Sequence, residues 1–181
     1  MNFRSILSVL IEKFKENEIR YALMGGLALG LWGVGRSTVD IDFLVDRDDL
    51  EKIDRVMQEL GYECKFKSEN VSQYVSPLKI YGEVDFLHAF REASLEMLVK
   101  AVEKDIFEGS LKLKVLIPED LIGLKFQAIK NNPSREQEDL EDIKTLISLH
   151  GRNLNWSVIE KYARLVGMID VCKNLKEGMG K

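Results

Sequence analysis

The 181-residue chain has two cysteines, two histidines, no surplus of basic charge and no apolar run long enough to cross a bilayer. Each shortage closes a class of function. Cys64 and Cys172 are isolated and far apart, in no metal-ligand or redox spacing, which excludes a disulfide scaffold and a cysteine zinc site. A reducing, cytoplasmic setting is the expectation. His88 reads as a packed or solvated side chain, since imidazole is a poor ligand for a hard cation, and His150 as a helix-end residue. Lys and Arg number 26 against 30 Asp and Glu, for a net charge of -4 and a pI near 5.4. That balance argues against strong nonspecific nucleic-acid binding, so any contact with a nucleic-acid acceptor must be local. Residues 21–35 are uncharged but too short and too rich in glycine to span a membrane, and no membrane partner is expected. Met1-Asn2-Phe3-Arg4 lacks a basic leader joined to a long apolar region, so no signal peptide is expected. There is no internal repeat and no low-complexity linker.

What is present fits an α/β (α+β) protein: a mixed sheet flanked by helices, then a helical C-terminal half. The 45% apolar content can build a core, and the length suits one α/β core with an extension. Phe3, Ile6, Leu7, Leu10, Ile11 and Phe14 form one helical stripe. A second helix opens at Asp46-Arg47-Asp48-Asp49 and stops at Gly61. Strands are expected at 62–67, 73–76, 79–81, 83–87 and 111–117, with a helix at 94–104. Pro118 and Pro133 then open and divide helices at 119–130 and 135–149. Another helix runs from Asn155-Trp156 toward Gly167, and the polar tail from Lys173 is expected to fray. The boundary between core and extension falls at 1–117 and 118–181.

The chemistry concentrates near the N-terminus. Thr38-Val39-Asp40-Ile41-Asp42-Phe43-Leu44-Val45 alternates as a half-buried strand does, so Asp40 and Asp42 share a face. At ~3.3 Å per residue the pair stands roughly 6 to 7 Å apart, and holding like charges beside apolar neighbours is costly without a cation. Mg²⁺, or Mn²⁺ in its place, suits such a site, taking a few carboxylate oxygens and completing its shell with water and phosphate.

Thirteen residues separate Asp40 from Gly26, the second glycine of Met24-Gly25-Gly26. Residues 20–24 read as a buried strand and 27–32 as a short apolar helix, making Gly25-Gly26 the turn between them. Glycine there permits positive φ and close approach of the backbone to an anion such as a nucleotide triphosphate. Arg36 and Ser37, just before the acidic strand, could also touch phosphate. Together these residues read as a metal-dependent nucleotide site.

The motifs Leu23-Met24-Gly25-Gly26 and Val39-Asp40-Ile41-Asp42-Phe43 resemble those of the DNA polymerase β type of nucleotidyltransferase. The resemblance implies a third carboxylate on a later strand, Asp85, with Glu83 on the same face as its rival. Residues 117–128 followed by Arg135 and Asp139-Leu140-Glu141-Asp142-Ile143 resemble the helical half of the AbiEii/AbiGii toxin-type members. By that likeness Lys125 serves catalysis and phosphate binding, and Asp139, with Asp142 as the alternative, joins it at the nucleotide. Gly26 departs from the toxin type, where serine is frequent. The activity implied is Mg²⁺-dependent transfer of a nucleoside monophosphate from an NTP to an acceptor hydroxyl on RNA, such as a transfer RNA end, or on a small molecule. An antitoxin-like protein is the implied partner. The alternative is a member of the fold that binds nucleotide or a partner without turnover.

Overall fold

A computed structural model describes residues 2–78 and 80–178. The chain divides into two compact units: residues 1–28 with 37–116, and residues 29–36 with 117–181.

The first unit is built on one seven-stranded mixed sheet. Its strands are β1 (Tyr21–Met24), β2 (Asp40–Asp46), β3 (Glu63–Lys67), β4 (Val71–Val75), β5 (Glu83–Ala89), β6 (Val102–Ile106) and β7 (Leu111–Val115), in the order β3-β4-β5-β2-β1-β7-β6. The β2–β5 and β1–β7 pairs are parallel and the others antiparallel. Alternation along β2 and β5 sends Phe43 and Phe86 to one face, and there they pack against Phe14 of helix α1 (Phe3–Glu16). Ile6, Leu7, Leu10, Ile11 and Phe14 form the buried stripe of α1, and Asn2 caps it by accepting from the Ser5 N–H. Tyr74, on the same sheet face, donates its hydroxyl to Asp54 of a later helix, Leu50–Glu59. The opposite face carries Asp40 and Asp42.

Helix α2 (Gly25–Leu31) follows β1 directly, so its first residues belong to the first unit and its last to the second. Helix α3 (Leu50–Glu59) buries Ile53, Val56 and Met57 after one 3₁₀ turn at Arg47–Asp49. Helix α4 (Glu92–Lys100) precedes β6.

The second unit gathers α5 (Pro118–Asn131), α6 (Glu136–His150), α7 (Trp156–Leu165) and α8 (Ile169–Gly178). Gly123 of α5 touches Tyr162 of α7 so closely that a Cβ would stand 2.5 Å from the ring. The Tyr162 hydroxyl donates to Asp120 at 2.6 Å. Among the described residues, no helix is long and apolar enough to cross a membrane.

Three local expectations need correction. The helix expected at 94–104 ends at Lys100, and residues 102–106 form β6. Val102-Glu103-Lys104-Asp105-Ile106 suits either state, and pairing with β7 decides it, aided by Lys112 between Glu103 and Asp105. The strand expected at 79–81 is not formed by Ile80 and Tyr81, which lie in a turn closed by Tyr81 N–H to Leu78 O; Lys79 lies outside the described residues. The tail does not fray at Lys173: α8 continues to Gly178, anchored by the fully buried Cys172 and by Lys176 on Glu160.

Candidate active site

Strand register assembles the carboxylates. Asp42 on β2 lies opposite Asp85 on β5, and Asp40 opposite Glu83, so all four acids stand on one sheet face. Asp40, Asp42 and Asp85 each turn a carboxylate oxygen to within 4.8 Å of the others. That is closer than the roughly 6 to 7 Å of the backbone repeat, because the side chains lean together. All three are half-buried.

Asp85 Oδ1 is buried without a hydrogen-bond partner. Burial, then the charges of Glu83 and Asp40, push its carboxyl up to about 6, against a hydrogen bond from Gln73 that pulls it down. Glu83 also accepts a hydrogen bond from Gln73 Nε2, but it stands outside the three-carboxylate cluster. Geometry therefore separates the two rivals on β5. Hard oxygen donors, an orphaned buried carboxylate oxygen and mutual repulsion together fit a divalent cation of the Mg²⁺ kind.

The glycine turn abuts this cluster. Gly25 has φ +66°, and a Cβ there would lie 1.9 Å from Asp42 Oδ2. Gly26 is not left-handed; it is kept bare by Thr38, whose Cβ would stand 2.7 Å from an added Cβ. The two glycines thus have different reasons to be glycine. Thr38, which the sequence offered only as the start of a strand, donates its hydroxyl to Asp40 Oδ1 at 2.6 Å. A threonine two residues before an acid-x-acid pair is the signal that would have found it. Ser37 is exposed in the loop before β2.

The remaining site residues from the sequence meet in the second unit. Lys125 Nζ on α5 lies 2.8 Å from Asp139 Oδ1 and 2.6 Å from Asp142 Oδ2 on α6, so it engages both of the alternatives at once. Arg36 pairs with Asp142 and with Glu138, and Arg135 with Asp139 at 3.2 Å. Asp139 is fully buried, whereas its neighbours Glu138 and Glu141 are exposed. The acidic run of α6 is therefore two-sided, with Asp139 and Asp142 buried in an ion-pair network, Glu138 joining it from the exposed side through Arg36, and Glu141 in water. His88 is likewise structural, bonded to Ser72 Oγ and Glu69 O on the α1 face of the sheet.

The sequence profile of a family described as uncharacterised nucleotidyltransferase matches residues 1–173. The chain belongs to that family. Comparison with curated proteins gives no match. Among solved structures the chain is similar to ANT(2")-Ia in complex with adenylyl-2"-tobramycin, with 13% identity, a TM-score of 0.66, and 92% of this chain and 97% of that one covered. It is similar to the lincosamide antibiotic adenylyltransferase LnuA, lincomycin-bound, with 17% identity, a TM-score of 0.54, and 80% and 96% covered. An antigenic nucleotidyltransferase-like protein from Paracoccidioides brasiliensis shares 18% identity at a TM-score of 0.56, with 97% and 92% covered. At such identities these likenesses establish the fold, and the fold agrees with the expected nucleotidyltransferase type. The narrower toxin-type likeness rests on the sequence motifs alone.

Proposed function

We propose that this nucleotidyltransferase-family protein moves a nucleoside monophosphate from an NTP to an acceptor hydroxyl in an Mg²⁺-dependent reaction, releasing pyrophosphate. The observation that carries the reading is the convergence of Asp40, Asp42 and Asp85 beside a turn whose Gly25 leaves no room for a side chain. Asp40, Asp42 and Asp85 would hold the metal, with Thr38 fixing Asp40. When bound, Mg²⁺ supplies charge neutralisation at the phosphates and a more acidic acceptor hydroxyl.

The chain's own residues supply the rest. The bare backbone of Gly25 and Gly26 admits the triphosphate, with Ser37 and Arg36 as further phosphate contacts. The acceptor oxygen bonds to the α-phosphorus, the bond from that phosphorus to the pyrophosphate oxygen breaks, and the hydroxyl proton passes to Asp85. By the toxin-type likeness Lys125, held by Asp139 and Asp142, would serve phosphate charge. In this reading residues 1–117 are the transferase core and 118–181 its extension. One structural neighbour holds adenylyl-2"-tobramycin and another is a lincosamide antibiotic adenylyltransferase, which favours ATP as donor and a small-molecule acceptor.

The test is transfer of label from each α-labelled NTP, with Mg²⁺, into RNA, protein and small-molecule pools. Transfer that vanishes on chelation and in Asp42→Asn is the expected result. NTP binding of equal strength with and without metal, and no transfer to any pool, would refute it.

A further inference from the structure

One register row runs across five strands on the carboxylate face. Met24 on β1 pairs with Asp42 on β2, Asp42 with Asp85 on β5, Asp85 with Gln73 on β4, and Gln73 with Phe66 on β3. The row passes from carboxylates through an amide to a phenyl ring. Phe66 reaches it only because β3 is irregular. Cys64 pairs with Tyr74, but the register then shifts by one residue, so that Phe66 and not Lys65 lies opposite Gln73. Without that bulge the ring would point to the other face of the sheet, since a one-residue slip reverses every side chain. The bulge thus aims an aromatic ring, still 54% exposed, along the row that holds Asp85.

Between the ring and the carboxylates lies a pocket of about 240 Å³, walled by Phe66, Val71 and Leu87, with Gln73, Asp85 and Asp42 at its polar end. We propose that this pocket is the acceptor subsite, and that it takes a small molecule whose reactive hydroxyl is carried on an aromatic or flat apolar body. The inference rests on the nucleotidyl-transfer reading above and names its substrate class.

Three features carry it. The pocket runs along the register row from Met24 on β1, past Asp42 and Asp85, to Phe66 on β3, so an acceptor whose body rests at the Phe66 end can extend a hydroxyl to the carboxylates. The volume lies below the roughly 300 Å³ at which drug-sized pockets begin, which suits one ring system. Beyond Asp42 and Asp85 the walls offer no carboxylate, so a polycationic sugar would find few partners there. With the body of the acceptor on Phe66, its hydroxyl oxygen would attack the α-phosphorus, pyrophosphate would depart, and the proton would go to Asp85.

The experiment is saturation-transfer NMR on the full chain loaded with Mg²⁺ and α,β-methylene-ATP. The probes are benzyl β-glucoside as an aryl-bearing alcohol and kanamycin as a polycation, while binding of total transfer RNA and of nucleotide is recorded separately by calorimetry. We expect benzyl β-glucoside to bind through its ring, Phe66→Ala to weaken that binding roughly tenfold, and Phe66→Trp to retain it. Nucleotide affinity should stay unchanged in both variants, and Val99→Ala, an exposed change on α4, should alter neither. If the nucleotide binds but the aryl probe does not, or binds Phe66→Ala equally well, or if kanamycin or RNA binds in its place, the subsite assignment is wrong. If Phe66→Ala weakens the nucleotide instead, the pocket holds the nucleobase and the assignment is wrong. Failure of nucleotide binding in the unmodified chain would bring down the underlying reading and this inference with it.

Discussion

The Asp42 carboxylate occupies the space that a side chain on Gly25 would need: an ideal Cβ would stand 1.9 Å from Asp42 Oδ2. The contact ties the turn after β1 to the acidic strand. A carboxylate can come this close to the backbone only where one residue is both left-handed and bare.

Gly25→Ala should therefore fail twice. The φ of +66° costs alanine about 1 to 2 kcal/mol, and the new methyl displaces Asp42 from its partners. We expect a lower melting temperature and loss of the Mg²⁺-dependent part of NTP affinity, read by calorimetry with and without chelator. Gly26→Ser, which meets only Thr38, should be milder. Equal metal-dependent affinity in Gly25→Ala and the unmodified protein would show that the contact is incidental.

Thr38→Val should weaken Mg²⁺-dependent NTP binding about tenfold, because it removes the 2.6 Å hydrogen bond that orients Asp40 while keeping the side chain's shape. Thr38→Ser should restore it. A titration of metal at fixed nucleotide distinguishes this from a stability effect, since the unfolding midpoint should move little.

The raised carboxyl of Asp85 gives a pH signature in the metal-free protein. The folded state holds this proton up to about pH 6 and the unfolded chain releases it near 3.8, so between those values the native state binds more protons and stability falls as pH rises. The loss is complete above about pH 6. Asp85→Asn should remove that decline and raise the apo melting temperature at pH 7 while abolishing transfer. Divalent-ion affinity of the unmodified protein should drop as pH falls through about 6, where the proton competes with the metal. A flat affinity from pH 5 to 8 would contradict the placement of Asp85 in the cluster.

Lys125→Ala should cost about 2 to 3 kcal/mol in urea denaturation, since it leaves the buried Asp139 and Asp142 with only Arg135 and Arg36. Lys130→Ala, on the exposed side of the same helix, should cost about half a kcal/mol or less. Similar unfolding curves for both variants would show that the ion-pair network is solvated in solution.

The legible part of this protein was the part fixed by local chemistry. Alternation through residues 38–45 puts Asp40 and Asp42 on one face whatever the rest of the chain does, and two glycines between a buried strand and an apolar run mark a tight junction, although the helix already begins at Gly25 and not after Gly26. The apolar stripe of α1 and the prolines opening the helical half were equally explicit. Residues whose meaning comes from a partner on another strand or helix were not. Asp85 and Glu83 are equivalent by alternation, and only the tertiary structure separates them, by bringing the Asp85 carboxylate and not that of Glu83 into the cluster with Asp40 and Asp42. Asp139 and Asp142 were alternatives in the sequence until α5 brought Lys125 between them. Residues 102–106 became a strand because β7 was there to pair with. Phe66 joined the carboxylate row through a one-residue bulge, for periodicity fixes which side chains share a face, while register and burial, set by the partner strand or helix, decide what that face meets.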